Sequence, residues 1–162
     1  MIPQHPAHIV LVEPRIPQNV GAVARLCAAT RAPLHVIRPI PFSLSDRNLQ
    51  RAGMDYLDLV QLTAHNRWAE FDAAPGRRWF LTSSGRRLLH QVEFRPGDAL
   101  VFGSEEAGLP EAIMAEARDS HADIRIPMPE PRARCLNLAT SVGIALYEML
   151  RQTGGLIEPP RS

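Results

Sequence analysis

The chain has 162 residues, 45% of them hydrophobic, and a formal net charge of +1, which is enough for about one domain whose core needs neither disulfides nor a structural metal. A strongly basic nucleic-acid binder is excluded on the global balance, yet all 18 basic residues are arginine and the charge is uneven: +4 over residues 1–98, −5 over 99–131 and +2 over 132–162. Cys27 and Cys135 make no secreted disulfide framework, no signal-peptide pattern opens the chain, and the nearly uncharged stretch Leu136 to Leu146 is shorter than the roughly 20 residues of a membrane span, so a cytoplasmic protein with no membrane segment is expected.

Apolar runs alternate with helical patterns from end to end, the mark of a single-domain α/β fold with a parallel sheet flanked by helices. His8 to Val12 reads as a buried strand, followed by a Pro-bounded loop and a helix from Asn19 to Thr30 in which Val20, Val23, Ala24 and Cys27 recur at helical spacing. A strand at Leu34 to Ile37 and a short helix from Asp46 to Gly53 come next. Further strands are expected at Leu59–Leu62, Trp79–Thr82, Leu100–Phe102 and Ala122–Ile126, with helices at Arg67–Ala74, Glu111–Arg118 and Asn137–Gln152. The last helix carries a broad apolar stripe including Leu138, Val142, Ala145, Leu146, Met149 and Leu150, which suits either packing on the sheet or a homodimer interface. One domain over residues 1–154 is expected, with a loose tail over 155–162.

In open α/β sheets ligands gather beyond the carboxyl ends of the strands, so the loops there carry the candidates. In the first, EPRIPQNVGAVAR, Asn19 is placed to cap the helix, Gly21 to admit a close neighbour, and Arg25 lies about one and a half turns in, where its guanidinium needs an anion or water. The second, Thr82 to Arg87, sets small hydroxyl residues and Gly85 directly after a strand. The third, Phe102 to Pro110, holds Glu105 and Glu106 ahead of a helix whose amino end would stabilise them. It lacks the Lys-Ser/Thr of a P-loop, and the Rossmann glycine pattern is absent. The fourth, Ile126 to Ser141, is a proline-rich excursion with Arg132 and Arg134 beside Cys135, long for a connection. Six histidines, at positions 5, 8, 35, 65, 90 and 121, show no ligand spacing and no metal site is expected; no G-x-S-x-G elbow is present.

Read together, these loops resemble the SPOUT superfamily of knotted RNA methyltransferases, in its SpoU branch of ribose 2′-O-methyltransferases. The resemblance rests on PQNVGAVARLC (Pro17 to Cys27), LVFGSEEAGLP (Leu100 to Pro110) and IRIPMPEPRARCLNLATSVGIALYEML (Ile124 to Leu150), in family order over about Ile9 to Gln152. The short chain, with no added RNA-binding domain, and the segment RAGMDY (Arg51 to Tyr56) are similar to the small subfamily that methylates the wobble nucleotide of tRNA, cytidine or modified uridine at position 34.

The resemblance implies S-adenosylmethionine as methyl donor, tRNA as substrate, a homodimer and a carboxyl-terminal trefoil knot, a feature that pattern reading alone never proposes. It implies a cofactor held mainly by backbone at Leu81, Thr82 and the turn to Gly85, at Gly103, at Ile126, and at Cys135 with Leu136. It assigns Arg25 to activating the ribose hydroxyl. A guanidinium with pKa above 12 is a poor base, so Arg25 is read as stabilising the developing alkoxide and orienting a phosphate. Asn19, Glu105 and Asn137 match family motif residues and are expected to arrange the loops around it. Cys135 stands where the family's third motif usually has serine, and a thiol is the weaker donor. With no separate RNA-binding domain, local arginines must make the tRNA surface; Arg25, Arg86, Arg87, Arg132 and Arg134 are the candidates, with the −5 segment lying away from the RNA except at its motif loop. Two alternatives stand beside this reading: a SpoU-type enzyme for rRNA or another tRNA position, and a knotted RNA- or nucleotide-binding module without catalysis. Intact Asn19, Arg25, Glu105 and Asn137 count against the second.

Overall fold

Every residue of Ala7–Val12 (β1) is buried, which requires cover on both faces and marks a central strand of a parallel sheet. The structure, a computed structural model, describes residues 5–71 and 76–161. After β1 come α1 (Pro17–Thr30), β2 (Leu34–Ile37), α2 (Arg47–Gly53), β3 (Leu62–His65), β4 (Arg78–Leu81), β5 (Arg87–Leu88), β6 (Asp98–Phe102), α3 (Glu111–Asp119), β7 (Asp123–Arg125) and α4 (Leu138–Thr153). The strands form one sheet in the order β3-β2-β1-β6-β4-β7-β5, with every neighbouring pair parallel. The expected α/β class and parallel sheet are therefore observed. Packed on it, α4 lies against α1, β1 and β6, while α3 lies against β4 and β7. The apolar stripe of α4 supplies Leu138, Val142, Ala145, Leu146, Met149 and Leu150 to the core.

The departures have local causes. The strand expected at Leu59–Leu62 starts at Leu62, because the ladder to β2 pairs Leu34 with Leu62 and Ile37 with His65, and Leu59 is left in a turn, largely exposed. The helix expected at Arg67–Ala74 is a 3-10 turn, Trp68–Glu70, followed by buried Phe71 in a non-helical conformation; residues 72–74 of that expectation lie outside the described residues. The two-residue β5 carried no periodic signal to read. Among the described residues no helix is long and apolar enough to cross a membrane, and those after Gly154 form neither helix nor strand.

The strand order reverses between β1 and β6: the chain runs outward through β2 and β3 on one side, and the remaining strands lie on the other. Such a switch point opens a crevice at the carboxyl ends of its two strands. The loops that follow β1 and β6 meet there.

Candidate active site

Helix α1 begins with Pro17 at its first position, where the ring's fixed φ suits a helix start and the missing N–H is no loss. Its N-cap is Ile16, with no side-chain cap and no acid in the first turn. Asn19, expected to cap the helix, instead lies inside it, because the proline sets the start two residues earlier. The exposed amino end is served from across the sheet. Glu105, in the loop after β6, accepts the Arg15 N–H at 2.9 Å and the Ile16 N–H at 3.1 Å. A carboxylate there satisfies orphan donors and complements the helix dipole. Of the two tasks open to Glu105, the contact made is with a neighbouring loop; the helix that follows it, α3, starts only at Glu111 behind an N-cap of Pro110.

The same carboxylate organises a third contact. Asn19 Nδ2 donates to Glu105 Oε1 at 3.2 Å, and Asn19 Oδ1 accepts from Asn137 Nδ2 at 3.1 Å. Asn137 in turn is the N-cap of α4, its Oδ1 accepting the Thr140 N–H at 3.1 Å. One relay of three side chains thus ties the start of α1, the loop after β6 and the start of α4. Asn19 is buried, and both of its amide groups are used. The loop that presents Glu105 is itself rigid: Ser104 and Gly108 exchange two backbone hydrogen bonds of 3.1 and 3.0 Å. A Cβ on Gly103 would stand 2.1 Å from the Gly108 carbonyl carbon, so only glycine permits that fold-back.

A second cluster forms where β4 and β7 end. The Thr82 N–H donates to the Ile124 carbonyl at 2.9 Å, the Gly85 N–H returns to Thr82 O at 3.1 Å, and Arg125 Nη1 donates to Gly85 O at 2.7 Å. A Cβ on Gly85 would lie 2.2 Å from the Ile124 carbonyl carbon. Leu81, Thr82, Gly85 and Ile126 are therefore brought together along this edge. Cys135 and Leu136 lie on the exposed loop leading to α4. Over residues 127–136 that loop makes one backbone–backbone hydrogen bond among the described residues, Ala133 N–H to Glu130 O at 3.1 Å. Most of its peptide groups are thus available to solvent or a ligand. Cys27 is fully buried, and burial pushes its thiol pKa up, away from reactivity.

The five arginines part company. Arg25 is exposed on α1, with the Tyr56 ring 5.3 Å from its guanidinium carbon. Arg86 is bound twice over to Asp123, from Nη2 at 2.7 Å and Nε at 3.0 Å, and donates also to Arg118 O at 2.8 Å. Those bonds from Arg86 hold the Asp123 carboxyl below the usual carboxylate range. Arg87 donates to His121 O and lies over Trp79 at 5.1 Å. Arg132 pairs at the surface with Glu130, and Arg134 is exposed. Part of the acidic stretch is neutralised by arginine in the fold. Within the acidic stretch Asp123 pairs with Arg86, Glu116 with Arg78 and Glu130 with Arg132. Among the described residues no group of three or more His, Cys, Asp or Glu side chains is arranged to hold a metal.

The sequence reading missed the amino-terminal donors of Arg15 and Ile16, since a backbone N–H has no residue-type signal, and it missed the Arg25–Tyr56 pair, whose members are 31 positions apart.

Known proteins resemble the chain over most of its length. The model of the SpoU rRNA Methylase family matches residues 6–147. A tRNA (cytidine(34)-2'-O)-methyltransferase from Methylovorus glucosotrophus is 44% identical over 89% of this chain and 94% of its own. A structure solved in work on the 2-OH methylation of C/U34 on tRNA superposes with a TM-score of 0.84 at 48% identity, covering 91% of this chain and 96% of that one. An AdoMet-bound rRNA methyltransferase from Sinorhizobium meliloti gives a TM-score of 0.82 at 26% identity, over 98% of this chain and 60% of that one.

Proposed function

The chain belongs to the SpoU methylase family, and on that premise we propose that it transfers a methyl group from S-adenosylmethionine to the ribose 2′-hydroxyl of nucleotide 34 of tRNA, a cytidine or modified uridine. The observation that carries the reading is likeness along nearly the whole of both chains to a cytidine-34 enzyme. A SpoU enzyme for rRNA is the weaker reading, because the rRNA methyltransferase it resembles is less similar and has a large part with no counterpart here.

The residues present suit the cofactor. Ile126, partly buried, and Leu136, exposed, offer apolar surface; Leu81 is buried at the end of β4, and Gly85 and Gly103 permit tight backbone turns. The peptide groups of Thr82 and of the loop through Cys135 would bind it without demanding particular side chains, which lessens the consequence of cysteine for serine at position 135. When bound, the cofactor supplies an electrophilic methyl group on a sulfonium sulfur. Arg25 carries the chemistry that this chain adds: a permanent positive charge whose N–H donors stabilise the alkoxide as the 2′-hydroxyl gives up its proton to water or a nearby RNA phosphate. Glu105, Asn19 and Asn137 act on the frame, fixing the helix that bears Arg25 against the loops that hold the cofactor.

Further parts of the proposal are a homodimer and a trefoil knot. The exposed Ile144 and Tyr147 on α4 support the first. The second is supported by the return of β7 to lie between β4 and β5, and by α4 then crossing to pack on α1 and β1. For the RNA surface, Arg25, Arg132 and Arg134 are the proposed contacts. Arg86 and Arg87, engaged within the fold, contribute to it indirectly.

Incubation with labelled S-adenosylmethionine and total tRNA or rRNA, followed by mapping of the methylated nucleotide, tests the reading. Label at position 34 of tRNA is expected; label confined to rRNA or to another tRNA position overturns it. Arg25→Ala is expected to abolish transfer while cofactor binding, measured by calorimetry, stays within a few-fold. Full activity in that variant removes Arg25 from the reaction.

A further inference from the structure

The segment Arg51 to Tyr56 has so far no task in the site, yet the fold holds it closely. A Cβ on Gly21 of α1 would stand 2.3 Å from Leu49 O and 2.8 Å from the Ala52 side chain, so α1 and α2 meet at a distance no side chain allows. Helix α2 then stops abruptly. Met54 adopts φ 52°, left-handed for a residue with a side chain, and its N–H returns to the carbonyls of Gln50 and Arg51. That turn leads into the 3-10 turn Met54–Tyr56. Its last residue brings a ring to the Arg25 guanidinium, 5.3 Å from centroid to carbon.

Arg77, Arg78 and Arg87 also lie over aromatic rings, and the comparison is informative. Arg77 pairs with Asp98, Arg78 with Glu116, and Arg87 donates to His121 O. Arg25 makes no hydrogen bond or ion pair among the described residues, although Asp55 and Asp58 flank its ring partner in sequence. A carboxylate would fix the guanidinium but occupy its donors and cancel its charge. A ring face attracts the cation and takes none of the five N–H groups.

We infer that Tyr56 is a positioning residue for methyl transfer: its ring orients the Arg25 guanidinium with the donors left for the RNA oxygen, and the segment Arg51 to Tyr56 delivers that ring. The inference rests on the reading of Arg25 given above. Because the ring acts on orientation, its loss belongs in the chemical step rather than in binding, and a small misplacement of a reacting group costs up to about a hundredfold in rate.

Single-turnover and steady-state assays on tRNA test it. Tyr56→Ala is expected to lower kcat by about 10- to 100-fold, with KM for tRNA and calorimetric affinity for S-adenosylmethionine within about threefold, a fold-change worth less than 1 kcal/mol. Tyr56→Phe, which keeps the ring and loses the hydroxyl, is expected to retain most of kcat. In an Arg25→Lys background the cost of Tyr56→Ala is expected to shrink, as for residues that act as a unit. Retained cofactor affinity and an unchanged melting temperature show that the variant is folded; if Tyr56→Ala does not fold, Tyr56→Leu replaces it. Full kcat in the ring-less variant overturns the inference, as does a Tyr56→Phe loss equal to that of Tyr56→Ala, since the hydroxyl would then be the active group. Full activity of Arg25→Ala in the same assay would instead remove the reading of Arg25, whatever Tyr56 does.

Discussion

Asn19 is the middle of the relay, and replacing it by alanine or by aspartate separates hydrogen bonding from charge. In Asn19→Ala both bonds of the side chain are lost, but Glu105 Oε1 keeps the Ile16 N–H at 3.1 Å and Asn137 lies at the surface. The net cost is that of two ordinary hydrogen bonds, about 1–3 kcal/mol, or a melting temperature lower by roughly 2–12 °C for a chain of this size. In Asn19→Asp the bond from Asn137 can persist, and simple bond counting makes this the milder change. Electrostatics reverses the order, because an oxygen now faces Glu105 Oε1 across the 3.2 Å that Nδ2 spanned. Two unit charges at that distance repel by about 5 kcal/mol at an effective dielectric constant of about 20. Relaxation reduces that figure, yet it exceeds the bond retained. Thermal unfolding of the two variants near pH 7.5 is therefore expected to rank Asn19→Asp below Asn19→Ala. On acidification the two carboxyls can share a proton, and the gap should close by about pH 5. The comparison is between variants, so pH effects common to both cancel. An aspartate variant as stable as the alanine one at neutral pH, or a gap independent of pH, refutes the role given to the Glu105 charge.

Four other outcomes follow from the structure. Burial, reinforced by neighbouring histidines, lowers the pKa of His8 to about 4 and of His35 to about 3. Both folded values lie below the unfolded value near 6.5, so the unfolded chain binds more protons between them and stability falls as pH drops from about 6.5 toward 4. The limiting slope is roughly 2.7 kcal/mol per pH unit for the two together. Denaturant titrations at pH 7 and 5 read it, and His8→Leu should lose about half of the slope. Gly85→Ala forces a Cβ to 2.2 Å from the backbone of Ile124. It should displace the turn after β4 and weaken S-adenosylmethionine binding in calorimetry by at least about tenfold; unchanged affinity removes that turn from the cofactor site. Activity at subsaturating tRNA should fall steeply with added salt, and Arg132→Ala or Arg134→Ala should each flatten the log–log slope of tRNA affinity by about 0.7 to 1. Arg86→Ala should chiefly destabilise the fold by stranding Asp123, visible as a lower melting temperature.

Much of the molecule is written locally. Alternating apolar runs and helical periodicities place β2 at its observed limits and the other long elements within a residue or two, because backbone geometry is set by neighbours along the chain. Gly21 is legible as a point of close approach, though not what approaches, whereas the close approaches at Gly85 and Gly103 are visible only in the fold. The failures have the same root. Leu59 and Val60 are apolar enough for a strand, but the ladder with β2 selects Leu62 to His65. Asn19 has the chemistry of a cap, yet Pro17 starts the helix and frees the amide for other work. The bonds that the exposed Arg86 and Arg87 make to Asp123 and to the His121 carbonyl were equally invisible along the chain.

By itself, then, the sequence determined the class of fold, the loops that matter and, through their motifs, a resemblance specific enough to imply a methyl donor and an RNA substrate. Only the tertiary structure decided which groups meet. Glu105 reaches Asn19 across 86 positions and Asn137 reaches it across 118, separations closed by the order of strands in the sheet. Periodicity and capping report a residue's own neighbours in the chain; a hydrogen bond made where β1 and β6 lie side by side depends on which strands became adjacent, and that is a property of the whole packed chain.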